Sequence, residues 1–184
     1  MIQVIRLYRQ ASKKTPHFVA FGTCLVKGST SDAFAQKCVE GVDTLDIKRN
    51  LAFSIFSGAY LGCGQHFVYN VWFTRLFGAS TSLQTGLKKS AMDLFVHVPL
   101  VYLPLYYAFE DTALGGTPVR GIQRLYAGTP EYAAELPEVM TKYSMIFPLV
   151  HVLNFTVIPR EMRIAVVATV SFAWLVVLST VSHK

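Results

Sequence analysis

An all-α integral membrane bundle of four or five transmembrane helices, preceded by an amphipathic N-terminal segment, is the fold class this sequence predicts. Three observations predict it. Of 184 residues, 52% are hydrophobic and only 15% charged, against about 25% charged in a typical soluble domain. Apolar stretches approaching the roughly 20 residues of a membrane crossing recur along the chain, and the mean hydropathy is +0.39. Finally, 17 Lys and Arg against 11 Asp and Glu leave a net charge of +6, an excess that in a hydrophobic chain sits beside anionic head groups. The length leaves little outside the spans, which excludes a separate soluble catalytic domain. Nucleic acid is excluded as a partner, because no extra-membrane domain carries a basic stripe interleaved with aromatics.

Two units are expected: residues 1–16, a basic amphipathic segment, and residues 17–184, one bundle. In the first, Arg6, Arg9, Lys13 and Lys14 occur without an acid, and a helical wheel sets Val4, Leu7, Tyr8 and Ala11 opposite Arg6, Arg9 and Lys13. That is the form of a mitochondrial targeting segment retained as an interfacial helix, and equally of an ordinary basic membrane flank. Pro16 closes it. Residues 17–39 form a helix apolar from Phe18 to Val26, with Lys27, Asp32, Gln36 and Lys37 beyond. After a loop at 40–48, where Asp43 and Asp46 are placed to cap the next helix, Leu51 to Phe77 reads as a span charged only at Arg75. Its Ser54, Gly58 and Gly62 lie four apart, the small-residue stripe that lets helix backbones approach in lipid.

A third span covers 87–112 and carries Pro99 and Pro104, which withhold backbone donors and open the helix. Residues 113–137 read as a surface connection bearing Arg120, Arg124, Glu131 and Glu135, with a short helix near Gly121 to Ala127. Pro137 then starts a helix over Glu138 to Ile158, kinked at Pro148. A turn at Pro159 to Arg163 leads to an uncharged span from Ile164 to Val181, where Ala165, Thr169 and Ala173 form another small-residue face. Tyr102, Tyr106 and Tyr107 are expected on the surface, as an interfacial belt or partner face.

The polar residues inside these helices carry a family resemblance. Gly62, Cys63, Gly64, Gln65, His66, Phe67, Val68 and Tyr69 look like G-P-x-x-H-x-W-Y, the motif of the family named after the twenty-two-kilodalton peroxisomal membrane protein, which includes mitochondrial inner-membrane relatives. Asp46 and Arg49 resemble its D-x-x-R, and Lys89, Asp93 and Pro99 its K-x-x-x-D-Q-x-x-x-x-P. Phe147, Pro148, His151, Asn154, Phe155, Ile158, Pro159 and Arg163 are similar to W-P-x-x-Q-x-x-N-F-x-x-V-P-x-x-x-R. Trp174, Leu178 and Ser179 resemble the closing W-x-x-x-L-S. The motifs keep their order over roughly residues 5 to 180. The chain departs from them at Cys63, Val68, Leu94, Phe147 and His151. The resemblance implies a small helical membrane protein of a family whose members are proposed to form small-solute pores or to support mitochondrial homeostasis.

Charge inside a span is the most function-bearing feature of such a chain, a carboxylate near the bilayer centre costing about 3 kcal/mol on insertion scales. Lys89 and Asp93, four residues apart, are expected to pair, with Arg163 or a helix end as a further partner for Asp93. Asp32, Gly58, Gly62, His66, Lys89, Asp93, Pro99, Pro148, His151, Asn154, Arg163 and Trp174 are the candidate intramembrane polar and packing residues. One reading makes Asp93 or Asp32 part of a polar pathway with His66, His97 and His151; the other makes them interhelical glue. No carboxylate pair or cysteine ligand accompanies the three histidines, so neither metal nor haem is expected. Cys24, Cys38 and Cys63 lack metal-ligand spacing and read as small apolar residues. No nucleophile elbow accompanies the serines, and Gly62-x-Gly64 lacks the strand and third glycine of a dinucleotide loop.

The functional expectation is therefore a non-enzymatic multi-pass protein of the mitochondrial inner membrane. It acts as an accessory subunit of a respiratory-chain or ATP-synthase-like complex, touching other subunits and membrane lipids, with no cofactor beyond a bound phospholipid or cardiolipin. A solute pore is the alternative, and it requires a wet lumen lined by Asp93, His97, His151 and Asn154. Five spans would gather the basic ends on the matrix side.

Overall fold

Five long helices close into a ring, and the reasons lie in the residues where they touch. The computed structural model describes residues 2–128 and 134–182, and of side chains beyond Phe172 only that of Trp174. Every regular element among the described residues is helical. We label them α1 (Ile2–Lys14), α2 (Pro16–Phe34, running on through Ala35–Val39) and α3 (Ile47–Phe56, continuous to Phe77). Then follow α4 (Leu83–Ala113), α5 (Pro118–Tyr126), α6 (Leu136–Thr156) and α7 (Arg163–Ser182). Around the ring α2 packs on α3, α3 on α4, α4 on α6, α6 on α7 and α7 back on α2, while α1 and α5 lie outside it.

The small-residue stripe does what its spacing predicts. A Cβ on Gly62 would stand 2.7 Å from the Ala20 carbonyl oxygen, and one on Gly58 2.9 Å from the Phe21 ring. Gly28 repeats the device from the α2 side, where a Cβ would meet Ser57 at 2.5 Å. Asp46 caps α3, its carboxylate accepting from the Arg49 N–H at 3.0 Å. Gly78, at φ +81°, ends that helix in the left-handed region a side chain rarely adopts. The two prolines are absorbed differently: Pro99 lies in a π-helical stretch, Asp93–Tyr102, and Pro104 at the first turn after α geometry resumes. Such widened turns are rare and collect at functional sites. The Pro99 carbonyl accepts from the Tyr126 hydroxyl, which ties α5 to α4. In α6 Pro137 occupies the first turn, and the Pro148 carbonyl accepts from Ser90 at 3.0 Å.

The structure corrects several expectations. Tyr102, Tyr106 and Tyr107 are in the core, at 3%, 3% and 0% exposure, because α5 covers that face of α4 and buried carboxylates take the Tyr106 and Tyr107 hydroxyls. Among the described residues, Leu83–Ala113 is the helix long and apolar enough to cross a membrane by length and composition. The span expected at Leu51 to Phe77 forms one unbroken helix, but its inward face carries Ser54, Ser57, Gly58, Gly62, Gln65 and Asn70, which lower its apolarity. The short helix of the connection starts earlier, at Pro118, under a Thr117 cap. Glu131, Ala173, Leu178 and Ser179, each named in the sequence reading, lie outside the residues or side chains described.

Candidate functional site

Asp93 sits where α3, α4 and α6 meet, with no exposure at all. One carboxylate oxygen is 2.8 Å from His97 Nδ1. The other is 3.1 Å from His151 Nε2 and accepts from the Tyr143 hydroxyl. Tyr143 in turn lies 2.9 Å from His151 Nε2, and the Tyr60 hydroxyl 3.0 Å from His97 Nε2. A polar chain thus runs Tyr60, His97, Asp93, His151 across three helices, and Tyr143 braces it. Local spacing explains half: His97 is one helical turn after Asp93, whereas His151 arrives with α6. The π-helical register of α4 begins at Asp93 itself.

An aromatic wall surrounds the carboxylate. Tyr69 stands edge-on to both imidazoles, with ring centroids at 5.9 Å from His97 and 5.3 Å from His151. Phe147 stacks on His151 at 5.5 Å, and Trp174 closes over Tyr143 at 5.4 Å. The adjoining cavity, bounded by Gln65, Tyr102, Tyr143 and Trp174, holds about 10 Å³, room for about one water. Asp93, His97, His151 and Asn154 are each at 0–1% exposure, so the four residues expected along a wet lumen are sealed. In so dry a setting one carboxylate shared by two imidazoles and a phenol can hold a proton and hand it between neighbours. Among the described residues no group of three or more His, Cys, Asp or Glu is arranged to hold a metal ion.

The other candidates fall elsewhere. Lys89 does not pair with Asp93: its amine lies 5.8 Å from the Phe155 ring centroid, and His97 and His151 have taken the carboxylate. Arg163 does not reach Asp93 either. It donates to the Asn154 and Phe155 carbonyls at 3.1 and 3.3 Å and to Asn70 at 3.2 Å, capping the C-terminal end of α6, where helix carbonyls favour a cation. The side-chain amide of Asn154 has no hydrogen-bond partner among the described residues. His66 stands apart from the cluster, 3.2 Å from the Asn70 amide and edge-on to His17 at 4.9 Å. Asp32 belongs to a separate knot at the α2–α3 end, where Arg49 Nε lies 3.1 Å away and Gln36 and Asn50 donate to it at 2.7 and 3.1 Å. The D-x-x-R pair thus has two tasks: Asp46 caps the helix, and Arg49 locks α2 to α3 through Asp32 and Glu40.

Sequence reasoning missed a third cluster. Arg124 of α5 pairs with Glu110 of α4, lies 3.0 Å from Glu135 and 3.6 Å from Asp111, and stacks over the Tyr107 ring at 4.9 Å. Burial works against the Arg124 charge, but Glu110 and Glu135 outweigh it and hold the guanidinium above its ordinary pKa. Burial raises the pKa of the Glu135 carboxyl, against the pull of Tyr107 and Arg124. The signal was the adjacent pair Glu110 and Asp111 closing an apolar helix. Lys27 was missed too; it is buried and donates to Ser171 at 3.2 Å.

Comparison with known proteins agrees with the motifs. Residues 127–179 match the Mpv17 / PMP22 family. The chain is 26% identical to Protein sym1 of Aspergillus oryzae over 184 residues, which covers 97% of this chain and 98% of that protein. It is 26% identical to the peroxisomal membrane protein PMP22 of Arabidopsis thaliana over 152 residues, 83% of this chain and 75% of the relative. No solved structure matches it. The resemblance seen in the ordered motifs is therefore to this family of membrane proteins.

Proposed function

We propose that the chain is a non-enzymatic, multi-pass protein of the mitochondrial inner membrane in which the Asp93 cluster holds a small-solute pathway shut. The observation that carries this reading is a fully buried carboxylate on the apolar helix Leu83–Ala113, held by histidines of two helices. Ionisable groups at that depth are costly and mark pathways in membrane proteins, and an apolar core would pack the helices equally well. The ring geometry supports five spans. Of its helices α2 is 19 residues, α6 21 and α7 20, and 19 residues reach about 28 Å, close to a hydrocarbon core of about 30 Å. The acid-free, Arg-bearing α1 supports the mitochondrial address, and tagging the chain in cells decides between it and the peroxisomal membrane of the plant relative. Reconstitution in liposomes tests the pathway. We expect slow release of an entrapped small solute with the wild-type chain and at least tenfold faster release with Asp93→Asn. Protein-free rates for both remove the pore.

The sealing of the cluster favours a second reading, an accessory subunit whose bundle stays dry. Migration from mild detergent extracts far above the 20.5 kDa of one chain, together with respiratory or ATP-synthase subunits, is its expected result. Migration alone removes it.

A further inference from the structure

The end of the ring opposite the Asp32 and Arg124 clusters holds an imbalance of charge. Lys88 and Lys89 in the first turns of α4 and Arg160 and Arg163 just beyond α6 lie at this end, where Lys89 and Arg163 both stand over the Phe155 ring. None of them forms an ion pair with a carboxylate among the described residues. The local acid, Glu161, is already taken by Arg9 at 2.9 Å and Lys13 at 3.7 Å. Lys89 and Arg163 are buried, at 1% and 2% exposure, while Lys88 and Arg160 are exposed. From this end a groove of about 400 Å³ runs along the outside of the ring, between Leu87, Ala91 and Phe95 of α4 and Pro148, Leu149 and Val152 of α6. Its near end is fixed by the α4–α6 crossing, where a Cβ on Gly86 would meet Thr156 at 2.6 Å.

We infer that this groove is a binding site for one anionic phospholipid, its acyl chain between α4 and α6 and its phosphate on Lys88 and Arg160, with Lys89 and Arg163 supplying the buried field. Leu87 to Phe95 is eight helical steps, or about 12 Å of helix, close to the half of a roughly 30 Å hydrocarbon core that one leaflet provides. Large, flexible side chains form much of the wall, Phe95 and Leu149 at 70% and 69% exposure. A partner helix in lipid asks instead for a stripe of small residues, so a chain of methylenes is the better occupant. Lys88 and Arg160 are exposed at the basic end, and Glu161, already held by Arg9 and Lys13, leaves their charge to an anion.

The inference rests on the membrane reading but not on the pore. The test uses the full chain, purified in detergent and exchanged into nanodiscs of phosphatidylcholine with a minor share of phosphatidylglycerol, and measures retained lipid by native mass spectrometry. We expect one retained phosphatidylglycerol, preferred on the order of thirtyfold, the effect of about two cations at a membrane surface. Lys88→Gln with Arg160→Gln, both at exposed positions, should abolish the preference while the melting temperature holds. Ala91→Trp, and separately Leu149→Trp, should empty the groove of either lipid. Equal retention of both lipids, retention untouched by the tryptophans, or displacement by millimolar inorganic phosphate overturns the site, the last by showing that only an anion is recognised. Release of the chain from membranes by alkaline carbonate without detergent overturns the membrane reading itself.

Discussion

Two buried carboxylate clusters, one around Asp93 and one around Arg124, make different use of charge. Arg124 is a permanent cation at the edge of the ring, shared among Glu110, Asp111 and Glu135 and stacked on Tyr107. Its charge does not depend on pH, and its task is to weld α5 and the start of α6 to the end of α4. Asp93 lies in the middle and is answered by hydrogen-bonding groups, the imidazoles of His97 and His151 and the Tyr143 hydroxyl. A welded edge suits a static joint; a carboxylate held by groups that can release it suits a joint that changes state.

The largest effect separates the two. Arg124→Leu leaves carboxylates buried without their cation, and we expect a loss of about 3–5 kcal/mol, read as a lower unfolding midpoint in mild detergent with no gain in solute release. Asp93→Asn keeps the shape and part of the hydrogen bonding, so a loss of about 1–3 kcal/mol is expected, accompanied by the faster release described above. If Asp93→Asn costs as much as Arg124→Leu and releases nothing, the two clusters are alike and the contrast fails. Gly62→Leu tests whether the ring itself is set by close approach. Its side chain meets the Ala20 backbone, and an overpacking cost of about 1–3 kcal/mol is expected, with an engineered α2–α3 cross-link forming more slowly.

The smallest effect concerns α1. The Glu161 carboxyl is held below its ordinary pKa by its own backbone N–H and by Arg9, with Lys13 adding to the pull. A depressed carboxyl contributes stability above its unfolded pKa and loses it as pH falls through the folded value. The Arg9–Glu161 contact is surface-exposed and is expected to contribute about 0.2–1 kcal/mol. Protection factors of the α1 amides, corrected for the intrinsic slowing of exchange in acid, should therefore fall as the pH is lowered through the acid range, while those at the buried α2–α3 contact hold. An equal fall in both regions contradicts a local clasp.

Much of the frame was legible because it depends on neighbours in sequence. The Asp46 cap, the Pro137 start, the four-residue spacing of Ser54, Gly58 and Gly62 and the breaks at Gly78 and Pro159 all act within one or two turns of the chain, and each stands in the structure. The cluster was legible only in its membership. Asp93 lies four residues after Lys89 and four before His97, so helix geometry offers it both partners on equal terms. The choice fell to His97 because α6 brings His151 and Tyr143 to the other carboxylate oxygen and sets Phe155 against Lys89. Arg124, fourteen residues from Glu110, had no periodicity to announce it.

By itself the sequence determined an all-helical chain, apolar enough for lipid, with small residues where helices touch and prolines where they open. Tertiary structure alone decided that three tyrosines turn inward, that Arg163 caps α6 rather than answering Asp93, and that the histidines of α4 and α6 share one carboxylate. The physical reason is range. Helix periodicity and capping are settled by atoms a few residues apart, whereas a buried charge takes the best donor that the whole ring brings within hydrogen-bond distance.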